Sequence, residues 1–190
     1  AVLINCLSAK YMAGTSFTTS VLLALFFIAV GGLIGALTGW IVSASGIADI
    51  VVTLATSFLL VGVAMFVMPQ PGGGINQGVA DLIGGKDPNF IPPLVWLILP
   101  LLVIWIPLYR SRTGIAMYAI GSNKDAAFLS GVNVNRTRIK LYAVGGLFAG
   151  LSGVVLTGIT LSASPFATIS NTATLNSVAG AVLGGVSLAG

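Results

Sequence analysis

Long intervals without a single charge restrict how this chain can fold more than any other feature. No Asp, Glu, Lys or Arg occurs between Lys10 and Asp49, between Asp49 and Asp81, between Asp87 and Arg110, or from Lys140 to Gly190. Each interval holds at least one run of roughly 20 apolar residues, the length that crosses a bilayer core as a helix. Charges stand only at the joints between these runs. With 56% hydrophobic and 6% charged residues, against about a quarter charged in soluble domains, the chain reads as an all-α, polytopic transmembrane helical bundle. Residues 1–190 form one domain on this reading.

Residues 1–9 read as the tail of one helix, followed by a polar joint from Lys10 to Thr19. Spans are expected over Ser20 to Val42, Ile50 to Met68, Leu94 to Tyr109 and Leu141 to Leu161, with a last one beginning near Leu175. Gly31, Gly35 and Gly39 recur every fourth residue, which places them on one helical face where a neighbouring backbone can approach closely. Gly145, Ala149 and Gly153, and then Gly180 and Gly184, repeat the spacing. All are assigned to helix packing. Pro69 stops the second span, and PQPGGGINQG supplies breakers suited to a flexible turn. Pro100 and Pro107 each remove a backbone donor, so the third span is expected to be kinked or short.

Successive joints must alternate between the two sides of the membrane. Six of the eight basic residues, Arg110, Arg112, Lys124, Arg136, Arg138 and Lys140, lie between positions 110 and 140, whereas Lys10 and Lys86 fall in joints on the opposite side. The positive-inside rule therefore puts loop 110–140 in the cytoplasm. The joints near residue 10, over 69–93 and over 162–174 then face out. Basic residues scattered between apolar spans reflect orientation in lipid, not a nucleic-acid surface.

Several chemistries are excluded or disfavoured. There is no histidine and Cys6 is the only cysteine, so zinc and redox spacings cannot occur, and no metal or cofactor is implied. Gly72 to Gly74 lack the Lys-Ser or Lys-Thr that a phosphate-binding loop requires. An intramembrane enzyme would need a nucleophile and a base, and no acid lies deep in a span to serve. The same lack of buried acids weakens an ion-coupled carrier.

The stretch GSNKDAAFLSGVNVNRTRIK, residues 121–140, is richer than an anchoring loop needs to be. Ser122 followed three residues later by Asp125 has the spacing of a capping box. Ala126, Ala127, Phe128 and Leu129 can continue as a short turn of helix, with Gly131 as its left-handed stop. Phe128 and Leu129 are costly to leave in water, so they meet either a groove on another protein or their own membrane domain.

These residues also carry a resemblance. Asp125, Ala126 and Ala127, three further residues and Gly131 resemble the acidic-Ala-Ala signature of importer permeases of the ATP-binding cassette class. The run from YAIGSNKDAAFLSG to YAVGGLFAGLSGVV, with ADIVVTLAT upstream and LGGVSLAG at the end, resembles the ribose-type sugar permeases within the branched-chain amino acid/ribose permease superfamily. The resemblance implies that Asp125, Ala126, Ala127, Phe128, Leu129 and Gly131 belong to a coupling helix that docks into an ATPase subunit. It further implies an extracytoplasmic solute-binding protein, a second permease subunit and the bacterial inner membrane. The missing GxxxxGK[ST] motif fits a chain whose ATP hydrolysis takes place in a partner. An apolar pattern still running at Leu188, Ala189 and Gly190 suggests an internal fragment of a longer permease.

A solute path requires polar groups facing the bundle interior. Thr53 and Ser57 share one helical face with Thr56 adjacent, and Asn171 and Asn176 flank the start of the final span. Such neutral groups suit an uncharged, hydroxylated solute such as a sugar, although Ser and Thr in membrane helices also bond their own backbone. Thr174 and Asn176 stand where the ribose-type pattern usually has acids, which leaves a neutral rim and no firm substrate. A facilitative or ion-coupled solute carrier is the alternative reading.

Overall fold

The computed structural model describes residues 1–84, 93–122, 124–165 and 167–185. Its regular structure over these residues is helical: α1 (Val2–Tyr11), α2 (Phe17–Ser45), α3 (Asp49–Val67), α4 (Gln77–Gly84), α5 (Pro93–Arg110), α6 (Arg112–Ser122), α7 (Lys124–Leu129), α8 (Val134–Thr160) and α9 (Ala167–Leu183). Helices α2, α3 and α8 are long and apolar enough to cross a membrane. Their outward faces carry Leu22, Leu25, Leu33, Phe58, Leu59 and Phe66, all exposed. In water such a surface would aggregate, whereas against lipid tails it is at home. The expected joints around Lys86 and Asp87, and the terminal LGGVSLAG beyond Gly185, lie outside the described residues.

The centre of the bundle is the crossing of α2 and α8. A Cβ added at Gly31 would stand 2.7 Å from the Gly146 carbonyl oxygen and 3.0 Å from the Gly150 Cα, and one at Gly39 would stand 2.7 Å from the Tyr142 Cβ. Gly35 is pressed in the same way against Tyr142 and Gly146. At Gly31 and Gly35 backbone meets backbone, because neither helix puts a side chain between them there. In lipid, where apolar side chains gain nothing by leaving the solvent, this closeness supplies dispersion contacts that drive association.

The face of α8 differs by one residue from the sequence expectation. Gly146 and Gly150 make the contact with α2, whereas a Cβ at Gly145 meets nothing within 4 Å. Gly153 is packed, but against α1, where its Cβ would lie 2.9 Å from the Ile4 Cβ. Gly180 in α9 faces open space and Gly184, just past its end, meets only carbonyls of the preceding turn, so among the described residues this pair packs no neighbouring helix. A four-residue spacing marks a face but not which of two adjacent faces is used, since Gly145 and Gly146 offer the same pattern one step apart.

At the end of the bundle where α1, α3 and α8 finish, the connections are knitted together. Gly72 and Ala163 exchange both backbone hydrogen bonds, at 3.0 and 2.8 Å, and Gly74 donates to the Ala9 carbonyl at 2.9 Å. Lys10 Nζ donates to the Val67 carbonyl at 2.9 Å. Cys6, Ala9, Ala64 and Ala163 form a small buried cluster beneath. The glycine run is therefore a pinned clasp, not a flexible turn: Gly73 takes φ +77° directly against Ala9, a position only glycine fits. Asn76 then caps α4, accepting from the Gly78 amide at 2.9 Å while its own amide donates to the Thr15 carbonyl at 2.6 Å. Val79, Ala80 and Ile83 turn inward, and Ile83 fills the space beside Gly158.

The charged segment is also more helical than a loop. α6, α7 and the first turns of α8 occupy most of 110–140, because Arg and Lys are good helix formers and mark where a helix leaves lipid, not where it ends. α5 continues for 18 residues through Pro100 and Pro107.

The two adjacent glycines of α8 give a test. Gly146→Ala is expected to destabilise the bundle by about 1–3 kcal/mol through overpacking, whereas Gly145→Ala should be neutral or stabilising by up to about 1 kcal/mol through helix propensity. The apparent melting temperature in detergent should fall for Gly146→Ala and hold or rise for Gly145→Ala.

Candidate functional site: a presented helix and a hydroxyl-lined cavity

Two features stand out at the other end of the bundle, where α2 ends and α3 and α8 begin. The first is α7. Ala127 is buried at 3% exposure, while Phe128 and Leu129 on the same short helix are 69% and 85% exposed. Helix α7 lies against α6 and α8, so Ala127 faces its own protein and the two large apolar residues face away. The helix ends in a Schellman arrangement: the Val132 amide donates to the Ala127 carbonyl at 3.1 Å and the Gly131 amide to the Phe128 carbonyl at 3.0 Å, with Gly131 at φ +80°. Asn133 then opens α8, its side chain accepting from the Arg136 amide at 3.1 Å. Two caps within three residues thus fix the angle at which α7 is held.

The capping-box expectation at Ser122 is corrected. Ser122 is the last residue of α6, and its hydroxyl donates back to the Ala119 carbonyl at 3.0 Å; the short helix starts later, at Lys124. The Asp125 side chain lies outside what is described. Ala126 is exposed beside Phe128.

The second feature is a cavity of about 450 Å³ between α1, α2, α3 and α8, within the range of small-molecule sites. Thr53, Thr56 and Ser57 line it together with Thr38, Tyr142, Gly145 and Ala149. The structure therefore brings the three α3 candidates onto one wall and uses Gly145 as cavity space. Each hydroxyl is back-bonded to its own helix: Thr53 to the Asp49 carbonyl at 2.9 Å, Thr56 to Val52 at 2.8 Å, Ser57 to Leu54 at 2.8 Å and Thr38 to Ile34 at 2.9 Å. Their protons are committed, but each oxygen keeps acceptor capacity. The wall can thus receive hydrogen bonds from a ligand more readily than give them. Asn176 does not line this cavity, and the Asn171 side chain lies outside what is described. Both lie within α9, which begins at Ala167 and not near Leu175, and Asn176 is exposed.

Two polar groupings were not singled out from the sequence. Asp49 at the start of α3 pairs with Arg138 in the second turn of α8: one guanidinium nitrogen lies 2.6 Å from each carboxylate oxygen, and the Tyr142 hydroxyl donates to the same carboxylate at 3.3 Å. Deep in the bundle the Asn5 amide donates to the Thr157 hydroxyl at 3.0 Å, and Thr157 donates in turn to the Gly153 carbonyl at 2.9 Å. The first had a signal: alternation of joints places Asp49 and Arg138 on the same side of the membrane. The second had none, because one Asn in a short apolar segment does not reveal its partner.

Three long apolar helices among the described residues, two of them joined by backbone-close glycine contacts, with a short helix presenting apolar side chains at one end, define a multi-pass membrane protein. Comparison with known proteins narrows this. The chain belongs to the family described as branched-chain amino acid transport system / permease component, whose pattern it matches over residues 1–190. It is 38% identical over 171 residues to the ribose import permease protein RbsC of Escherichia coli K12, covering 86% of this chain and 52% of that protein. It is 30% identical over 168 residues to the D-allose transport system permease protein AlsC of the same strain, covering 85% and 49%. A third relative, the autoinducer 2 import system permease protein LsrC of Klebsiella pneumoniae, is 37% identical over 167 residues, covering 85% and 47%. The chain spans about half the length of these relatives. No solved structure matches it.

The Schellman stop yields a prediction. Gly131→Ala is expected to cost about 1 kcal/mol at the end of α7, because a Cβ is disfavoured in the left-handed region. Asn133→Ala should cost about as much at the start of α8. Hydrogen exchange should show faster amide exchange confined to residues 124–137 in both variants, with the α2–α8 core unchanged.

Proposed function

We propose that the chain is the membrane-spanning permease part of an ATP-driven importer that moves a sugar or similar small hydroxylated solute. The observation that carries this reading is α7. It is a short helix with a buried Ala127 on one side and Phe128 and Leu129 in the open on the other, held by caps at Gly131 and Asn133. Two large apolar side chains kept at fixed angle beyond the lipid-crossing helices suit a groove on a partner protein. The partner is an ATPase subunit, and α7 is the coupling helix, with Asp125, Ala126, Ala127, Phe128, Leu129 and Gly131 as its parts. Within that set Phe128 and Leu129 supply the contact, while Ala127 and Gly131 hold them in place.

On this reading the α7 end of the bundle is cytoplasmic, and the clasp around Gly72, Gly74 and Ala163 faces out, where a solute-binding protein delivers its cargo. The membrane is the bacterial inner membrane, and a second permease subunit completes the pathway. The solute passes the cavity walled by Thr53, Thr56 and Ser57, whose free acceptor capacity matches the hydroxyl donors of an uncharged polyol. Ribose, allose and autoinducer 2 in the names of the relatives support that solute class. The chain performs no bond chemistry.

The test is co-purification of the full-length permease with its candidate ATPase subunit. Removing the Phe128 and Leu129 side chains together by alanine substitution should cost about 3 kcal/mol of docking energy, roughly a hundredfold in affinity. Membrane insertion and the detergent elution profile should be unchanged, since neither side chain is buried in the permease. Gly131→Trp should weaken docking as well by misdirecting the helix. Undiminished ATPase retention in the Phe128/Leu129 variant, or uptake that ignores ATP depletion, would sink the coupling assignment and favour a facilitator.

A further inference from the structure

The attachment of α3 is unlike that of the other long helices. At its outer end α3 is fixed by the Lys10 bond to the Val67 carbonyl and by Ala64, which is fully buried against Cys6 and Ala9. At its inner end the cavity separates it from α8. The hydrogen bonds that cross from α3 to α8 among the described residues are those of Asp49 to Arg138 and Tyr142. Thr53, the first cavity-lining residue of α3, stands one helical turn above Asp49, and Tyr142 itself lines the cavity from the α8 side. The ion pair therefore sits beside the inner end of the cavity, joined to its wall through Tyr142.

We propose that Asp49, Arg138 and Tyr142 form a latch that closes the cytoplasmic mouth of this cavity, and that α7 releases it by moving the first turns of α8. The idea rests on the coupling reading of α7 for its trigger. Arg138 follows closely on the Asn133 cap, and Asn133 follows the Gly131 stop, so a shift of α7 reaches the guanidinium through two fixed junctions and no flexible loop. The pair is also built to open. Arg138 and Asp49 side chains are 24% and 41% exposed, so water can take over their hydrogen bonds when they part, whereas a buried pair would strand two desolvated charges. Asp49 additionally keeps its favourable place at the amino end of α3 after release. Once the latch is open, α3 is free to swing about its clasped outer end and the cavity communicates with the cytoplasm.

Cysteine accessibility in the full-length permease tests this without knowledge of the solute. With other cysteines removed, Thr56→Cys places a thiol in the cavity wall, and a membrane-impermeant maleimide is applied from the cytoplasmic side in inside-out vesicles. Asp49→Asn and Arg138→Gln should each raise the labelling rate by about threefold or more, the scale expected for losing a partly exposed pair. The charge-exchanged double variant, Asp49→Arg with Arg138→Asp, should return the rate towards that of the parent, which guards against a trivial folding defect in either single variant. Unchanged labelling in both single variants, increased labelling only from the opposite side, or a charge exchange no slower than the singles would each overturn the latch. ATPase co-purification is a separate measurement, so failure of the latch and failure of the importer reading give different results. If both hold, adding the ATPase subunit to the parent should change the labelling rate, and adding it to the Asp49→Asn variant should change it less.

Discussion

The close approach of α2 and α8 is the constraint on which the remaining geometry depends. Gly31 and Gly35 on one helix and Gly146 and Gly150 on the other let two backbones meet with no side chain between them, and Gly39 makes room for the Tyr142 side chain. A soluble protein could reach similar stability by burying apolar side chains, but lipid tails already solvate those. Contact area must come from closeness instead. With α2 and α8 fixed together, α1 lodges against α8 at Gly153, α4 plugs the space beside Gly158, and α3 is left to the side with a cavity between it and the pair.

The two ends of the bundle are finished by different chemistry. At one end backbone hydrogen bonds join three connections, Gly72 to Ala163 and Gly74 to Ala9, and a capped amphipathic helix sits under them. At the other, side-chain charges on α3 and α8 meet in a partly wet pair, next to a helix whose angle is fixed by its own caps. Backbone bonds beside apolar surface are costly to break because neither partner finds a replacement. Hydrated charges exchange partners cheaply. A rigid end and a labile end on one scaffold suit a molecule in which movement at one face has to be converted into opening of an internal space.

Much of this arrangement is legible in the sequence. The intervals between charges give the long helices to within a few residues at most ends, and the small-residue spacing of Gly31, Gly35 and Gly39 gives the packed face of α2. The start of α8 is placed late because Asn135, Arg136, Thr137 and Arg138 look like loop on hydropathy alone, although they form helix once Asn133 caps it. The glycine run at residues 72–74 reads as slack chain because its partners, Ala9 and Ala163, are remote in sequence. The cavity wall at Thr53, Thr56 and Ser57 is visible as a polar face, yet the commitment of each hydroxyl proton to the helix is a matter of rotamer. Gly145 and Gly146 show the limit most sharply: their spacing to later small residues is equally good, and only the neighbour decides which one touches it.

That adjacency makes the reading frame of α8 a determinant in its own right. Successive residues of a helix are about 100° apart around its axis, so Gly145 and Gly146 assign neighbouring sectors of α8, one to empty space and one to the body of the protein. A single inserted residue ahead of them would turn both sectors together. The cavity sector would be turned towards α2 and the contact sector past it, with Tyr142 displaced relative to both in the same rotation. Substitutions can adjust the cavity one wall position at a time, but length within this helix is held by two surfaces at once.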